Sequence, residues 1–223
     1  MDFTDWIFAI QVCFVNNFSD LWEYEQAFEA GTIEFTRYIG ESCPVCGKKG
    51  CYRRIGSYER GVIELFPFRM YTIHIARFLC TTRKLTFSLL PHQLAPYHRY
   101  TIASMLQAVC LFFRIAPGAP LESLYDQLPD DCLTTLWLMR CWRAKAEKSL
   151  QRAFHVLSRY YVLDTLPGSS DKAVAFLGYL SAFSPRGPPE SAIGIERAVK
   201  RYSQSTGRHF LGISSQERRR ASI

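Results

Sequence analysis

Three cysteines stand where the ligands of a tetrahedral metal site would be expected. Cys43 and Cys46 form a Cys-x-x-Cys pair closed by Gly47, a spacing that lets two thiolates hold one metal ion from a tight turn. Two thiolates fill only half of a tetrahedron, so the remaining ligands must come from elsewhere in the chain. Cys80 ends a β-patterned stretch, where a returning strand would bring it back to the turn.

The fourth ligand is the open question of this site. A second Cys-x-x-Cys pair would place a cysteine three residues after Cys80, but that residue is Arg83. Cys51 is the best replacement because it follows Cys46 by only five residues. Three histidines rank behind it, namely His74, His92 and His98. We predict one zinc ion bound by these four cysteines; the alternative is a degenerate site without metal.

The segment around the cysteines is strongly basic. Residues 47–100 carry ten Lys or Arg against two glutamates, whereas residues 1–46 carry eight acids and one Arg, within a net charge of +7. A metal-stapled unit with this charge is typical of nucleic-acid binding. We therefore predict double-stranded DNA as the partner, with phosphates neutralised by Lys48, Lys49, Arg53, Arg54 and Arg60.

The N-terminal sequence and the cysteines favour a cytoplasmic protein. Asp2 and Asp5 stand where a signal peptide would carry positive charge, and the apolar run 6–15 is interrupted by Gln11 and too short to span a bilayer. Most of the eight cysteines lie singly in apolar or basic segments, as buried free thiols do in a reducing compartment. No membrane partner is expected.

Local patterns predict helices before and strands around the metal ligands. Ser19 to Glu23 has the form of a capped helix start, and the helix runs to Gly31. The alternation of residues 32–39 predicts a strand leading into the turn. Four further strands are predicted at 52–58, 62–68, 71–79 and 86–88, with turns at 59–61 and 66–67.

The chain after residue 100 is patterned as helices. Residues 100–115 have apolar helical spacing, a short helix is predicted at 120–128, and a third starts near Asp131 and Cys132 and continues to about 161. The last two match helix-turn-helix spacing, although a plain three-helix bundle is the alternative. In the first case the third helix would contact DNA through Thr134, Thr135, Arg140 and Arg143. One more helix is predicted at 195–202.

Several short segments together resemble the N-terminal DNA-binding region of insertion-sequence transposases. They are Cys43-Pro44-Val45-Cys46-Gly47, residues 52–60 (YRRIGSYER), 75–80 (IARFLC), 86–91 (TFSLLP) and 96–100 (PYHRY). In that family a zinc ribbon precedes a helix-turn-helix, and the resemblance covers roughly residues 40–145. Arg83, which replaces the family's fourth cysteine, is the departure from the pattern.

These observations predict an α+β fold with a small zinc-ribbon β unit followed by a helical, helix-turn-helix-like domain. The units are an acidic, partly helical head (1–40), the basic ribbon (41–97), the helical domain (98–165) and a weakly ordered helix with a basic tail (166–223). Because the few acids after residue 145 do not form a nuclease triad, we expect a DNA-binding accessory or relic of a mobile element. Two alternatives stay open, a transposase or nuclease subunit whose catalytic centre is cryptic or supplied in trans, and a protein-interaction module. A homodimer or a transposition partner protein is also considered.

Overall fold

The computed structural model describes residues 10–114, 134–157, 159 and 188–212. These residues form an α+β structure in which a mixed four-stranded sheet is joined to helices. The elements are β1 (Ile10–Phe14), α1 (Leu21–Glu29), α2 (Phe35–Ile39), β2 (Tyr52–Leu65), β3 (Phe68–Cys80), β4 (Leu85–Pro91), α3 (Ile102–Arg114), α4 (Leu136–Leu157) and α5 (Pro188–Thr206). Within these ranges no helix is long and apolar enough to cross a membrane.

The sheet has the strand order β1-β4-β3-β2. β2 and β3 form a long antiparallel hairpin that turns at residues 66–67, as the sequence predicts, and β4 pairs antiparallel with β3. β1 pairs parallel with β4, placing Ile10 opposite Phe87. The acidic head therefore contributes a strand to the same sheet as the basic segment.

The start of α1 is held by side-chain caps. Asp20 Oδ1 accepts a hydrogen bond from the Glu23 amide at 2.8 Å, and Glu23 Oε2 accepts one from the Ser19 hydroxyl at 2.7 Å. The predicted helix is thus confirmed. The strand predicted at 32–39 is wrong, because residues 35–39 form the short helix α2. Its turn buries Phe35 against Phe28, where an extended chain would place alternate residues on opposite faces.

β2 is one continuous strand, so the turn predicted at 59–61 is wrong. Arg60 pairs with Ile73, and Gly61 pairs with Thr72. The Arg99 guanidinium lies 3.1 Å from the position that a Cβ on Gly61 would occupy, so a larger residue here would have to displace that side chain.

Two apolar cores share β2, whose neighbouring residues Val62 and Ile63 belong to one core each. The first joins the sheet to α1 and α2, is rich in aromatic rings such as Phe14 and Tyr24, and includes three of the cysteines. The second surrounds the fully buried Trp142 and combines α3, α4 and α5 with Ile63 and Leu65 of β2. Since β2 contributes to both cores, it connects the sheet to the helices.

The helices of this part are confirmed, with different bounds. α3 spans residues 102–114 as expected, α4 ends at Leu157 rather than near 161, and α5 is longer than the predicted 195–202. The helix start predicted near Asp131 and Cys132 is wrong, because Thr134 and Thr135 are not helical and α4 begins at Leu136. The short helix predicted at 120–128 lies outside the described residues. The helix-turn-helix arrangement therefore stays a prediction, as do the domain boundaries.

Three histidines are held neutral by burial, which predicts acid sensitivity. Burial lowers the pKa of His92 and His98 to about 4 and that of His209 to about 3. Because the unfolded chain protonates histidine at about pH 6.5, it binds more protons than the folded chain below that pH. We expect the free energy of unfolding, measured in urea, to fall between pH 6.5 and about 4. His74 opposes this trend, because its hydrogen bond with Glu25 raises its pKa.

Replacement of His209 by Phe separates this effect from general acid denaturation. The His209 ring is buried and makes only a weak contact with the Leu94 backbone, so the substitution removes a titrating group at the cost of little hydrogen bonding. The variant should lose less stability between pH 7 and pH 5 than the original chain. His155→Gln is the matched control because that side chain is exposed on α4. Equal pH slopes for the original chain and H209F would contradict the assignment.

Candidate metal centre

A tight turn positions the first two cysteines. The Cys43 amide donates to the Lys48 carbonyl at 2.9 Å, and the Gly47 amide donates to the Cys43 carbonyl at 2.8 Å. Gly47 has a φ of 75°, a left-handed conformation that favours glycine. A bridge between Ser42 and Lys49 closes the loop, so both thiols project from one compact turn.

The β2–β3 hairpin positions the other two. Cys51 immediately precedes β2, and Cys80 is the last residue of β3, opposite Tyr52 in the register. The Thr81 amide donates to the Cys51 carbonyl at 2.7 Å, which continues the pairing by one step. The open end of the hairpin therefore holds two thiols side by side against the turn.

The four sulfur atoms form one cluster whose dimensions suit a metal ion. The Sγ atoms lie within 4.8 Å of one another. Cys46 is 3.1 Å from Cys51 and 3.6 Å from Cys80, and Cys51 is 4.0 Å from Cys80. Metal–sulfur bonds of about 2.3 Å in a tetrahedron give sulfur–sulfur edges of roughly 3.8 Å. The four thiols are free rather than joined as disulfides.

The surroundings favour one thiolate in the Cys46–Cys51 pair. Hydrogen bonding with Cys51 lowers the pKa of Cys46 to about 6 and raises the pKa of Cys51 to about 12, because the two sulfurs share a proton. The Arg83 amide donates to Cys80 Sγ at 3.4 Å. Such an N–H group stabilises negative charge on a metal-bound sulfur. Cys43, Cys51 and Cys80 are buried, which limits competition from water.

Cys51 takes the fourth place, and Arg83 contributes its backbone amide rather than a ligand atom. The three histidines weighed against Cys51 lie elsewhere. His74 contacts Glu25 and stacks on Phe28, His92 is buried, and His98 contacts Lys145. The four cysteines can hold a metal ion, and their positions alone do not show which metal it is.

The predicted DNA-binding residues of the basic segment have different surroundings. Lys48 and Arg53 are exposed beside the cysteines, and Lys49 is exposed but paired with Glu41. The Arg54 guanidinium lies over the rings of Phe28 and Phe35, at 5.2 and 5.1 Å from the centroids. Arg60 is half-buried and donates to the Ala95 carbonyl at 2.8 Å. Arg54 and Arg60 therefore also make contacts within the fold.

The four predicted DNA-binding residues of the helical part also differ in exposure and contacts. Thr134 is buried with its hydroxyl 3.4 Å from the Tyr100 hydroxyl, and Thr135 Oγ1 accepts from the Leu138 amide at 3.2 Å. Thr135 therefore caps the start of α4. Arg140 is exposed on α4, and Arg143 is half-buried.

Two exposed cations near the centre were absent from the sequence-based set. Arg83 and Lys84 form the turn between β3 and β4, directly after Cys80, and the Lys84 amide donates to the Cys80 carbonyl at 2.8 Å. Their position after a metal-ligand candidate was the available signal.

Comparisons of this chain with protein-family models, with curated proteins and with solved structures give no match.

Removal of one cluster cysteine tests the metal centre. We expect elemental analysis to find one divalent metal ion per chain, and Cys51→Ser to reduce that content and lower the melting temperature, because a hydroxyl is a poor replacement for a thiolate ligand. Cys141→Ser is the matched control, since Cys141 lies on α4 outside the cluster. Equal metal content in C51S and C141S would contradict the assignment of Cys51.

Proposed function

We propose that this chain is a DNA-binding protein in which one zinc ion, held by the four cysteines, organises a phosphate-binding surface. The observation that carries the proposal is a group of exposed cations around the cysteine cluster, here called the knuckle patch. It consists of Lys48, Arg53, Arg83 and Lys84. Each lies within four residues of a cluster cysteine in the sequence.

Zinc is the metal that this ligand set favours. Four thiolates in a closed tetrahedral arrangement are typical of structural zinc sites. An ion of charge +2 with four thiolates has a net charge of about −2, so nearby cations stabilise the centre. The knuckle patch has four such charges, which leaves positive charge available for phosphates.

The charge of the patch supports nucleic acid as the partner. Between Ser42 and Leu121 the only acids are Glu59 and Glu64, and Glu59 lies beside His74, away from the cysteines. The exposed Lys and Arg side chains outnumber the nearby acid Glu41, which pairs with Lys49, and such an excess creates the positive potential that attracts a phosphate backbone.

α4 is the element proposed to contact bases. Its exposed residues include Trp137 and Arg140, which are three positions apart and lie on one helical face. Trp137 is 71 % exposed, which is unusual for so large a side chain and is typical of binding surfaces. With Thr134 buried and Thr135 capping the helix, Arg140 is the strongest candidate for base contact.

The relation to mobile elements rests on the motif resemblance described above. We propose an accessory or relic protein of that kind. A transposase or nuclease subunit with a cryptic or in-trans centre is the alternative, and metal-dependent nicking of plasmid DNA would favour it. Binding that is weak and insensitive to salt would instead favour a protein-interaction module.

Salt dependence of duplex binding tests the knuckle patch. By fluorescence anisotropy between 50 and 200 mM salt, affinity should fall steeply, with a slope of about −0.9 in log K against log salt for each phosphate contact. Arg53→Gln should reduce the magnitude of that slope by about one contact on every duplex. Arg69→Gln, which removes an exposed charge near the hairpin turn, is the matched control. A flat salt response in the original chain would overturn the proposal.

Arg140 should act on sequence preference instead. After selection of a preferred duplex from a random pool, Arg140→Gln should weaken that duplex by about 1–3 kcal/mol and random duplex much less, because base contacts specify and phosphate contacts do not. Competition binding with both duplexes measures the difference. Equal losses on both would remove Arg140 from the recognition surface.

A further inference from the structure

Three basic side chains meet where β2, the loop before α3 and α4 come together. They are Arg60, His98 and Lys145. The Arg60 guanidinium donates to the carbonyls of Ala95, at 2.8 Å, and His98. The Lys145 ammonium contacts Nε2 of the same histidine. The three groups are half-buried, so they are neither fully solvated nor sealed from solvent.

Among the residues that the structure describes, no carboxylate pairs with this group. Glu59, although adjacent to Arg60, alternates to the other face of β2 and lies 4.0 Å from His74. Two permanent cations thus flank a histidine in partly desolvated surroundings, an arrangement that a bound anion would stabilise.

We propose that Arg60, His98 and Lys145 form a binding site for a phosphate group. The inference rests on the proposed DNA-binding function, from which the phosphate would be a backbone phosphodiester. Arg60 offers a planar set of N–H donors, Lys145 a point charge, and His98 a further donor when protonated.

The electrostatics of these side chains agree with such a site. Burial lowers the pKa of Arg60 and of Lys145, and burial together with both cations lowers the pKa of His98 to about 4. The neutral imidazole accepts a hydrogen bond from the Lys145 ammonium. A phosphate placed between the cations would favour protonation of His98.

The site is separate from the knuckle patch. Arg60 follows Arg53 by seven positions along β2, which corresponds to roughly 23 Å of strand. No single phosphate spans that distance. Lys148, one turn beyond Lys145 on α4, is exposed and does not contact His98, so it supplies a matched control.

NMR of the histidine side chains in the full chain tests the site directly. The protein has only five histidines, so the His98 signals can be assigned individually. Isotope-labelled protein would be titrated with inorganic phosphate at constant ionic strength, and separately with a duplex of about two helical turns. We expect the chemical shifts of the His98 ring to change and to reach saturation with both probes. Lys145→Gln should weaken phosphate binding about tenfold, whereas Lys148→Gln should change it less than twofold.

The outcomes separate this site from the proposed function. Movement of His98 with phosphate but not with duplex would support the site and overturn a DNA source for its phosphate. A silent His98 in the original chain would overturn the site, even if anisotropy on the same samples shows duplex binding. Equal effects of K145Q and K148Q would also overturn it. Loss of duplex binding alone would count against the proposed function.

Discussion

The antiparallel pairing of β2 with β3 is the constraint on which the rest of the structure depends. Its register runs from Tyr52 opposite Cys80 to Leu65 opposite Phe68. A slip of one residue would move every side chain of a strand to the other face. It would also separate Cys51 from Cys80 and withdraw Ile63 from the helical core. One ladder of backbone hydrogen bonds therefore sets both the metal centre and the attachment of the helices.

The two ends of the hairpin solve different physical problems. At the open end, four thiols crowd together, and a bound cation would relieve the repulsion among their thiolates. At the closed end, apolar side chains enter the core around Trp142. Between the two ends, two arginines of β2 contact neighbouring parts of the fold. Arg54 packs on aromatic rings of the head, and Arg60 donates to backbone carbonyls.

Arg53, Arg54 and Arg60 are close together in the sequence, but they have different surroundings in the structure. Arg53 and Arg54 are both exposed, but Arg54 stacks on aromatic rings, and Arg60 is half-buried and donates to a backbone carbonyl. A positive charge count alone treats these residues as equivalent. Their contacts make Arg53 a surface residue and the other two partly structural, so loss of Arg54 or Arg60 would combine effects on stability with effects on any ligand.

The sequence by itself determined the local features: the caps of α1, the hairpin turn at 66–67, the helical character of α3, and the cysteine spacing that singled out the four thiols the structure brings together. Most of these depend on neighbours within a few residues, whereas Cys80, 29 residues after Cys51, was indicated by its place at the end of a predicted returning strand. The continuity of β2, the helix at 35–39, the parallel pairing of β1 and the capture of Arg54 and Arg60 were decided by tertiary structure. Each depends on a partner distant in sequence, such as Arg99 beside Gly61. The local pattern of apolar and polar residues does not predict such contacts.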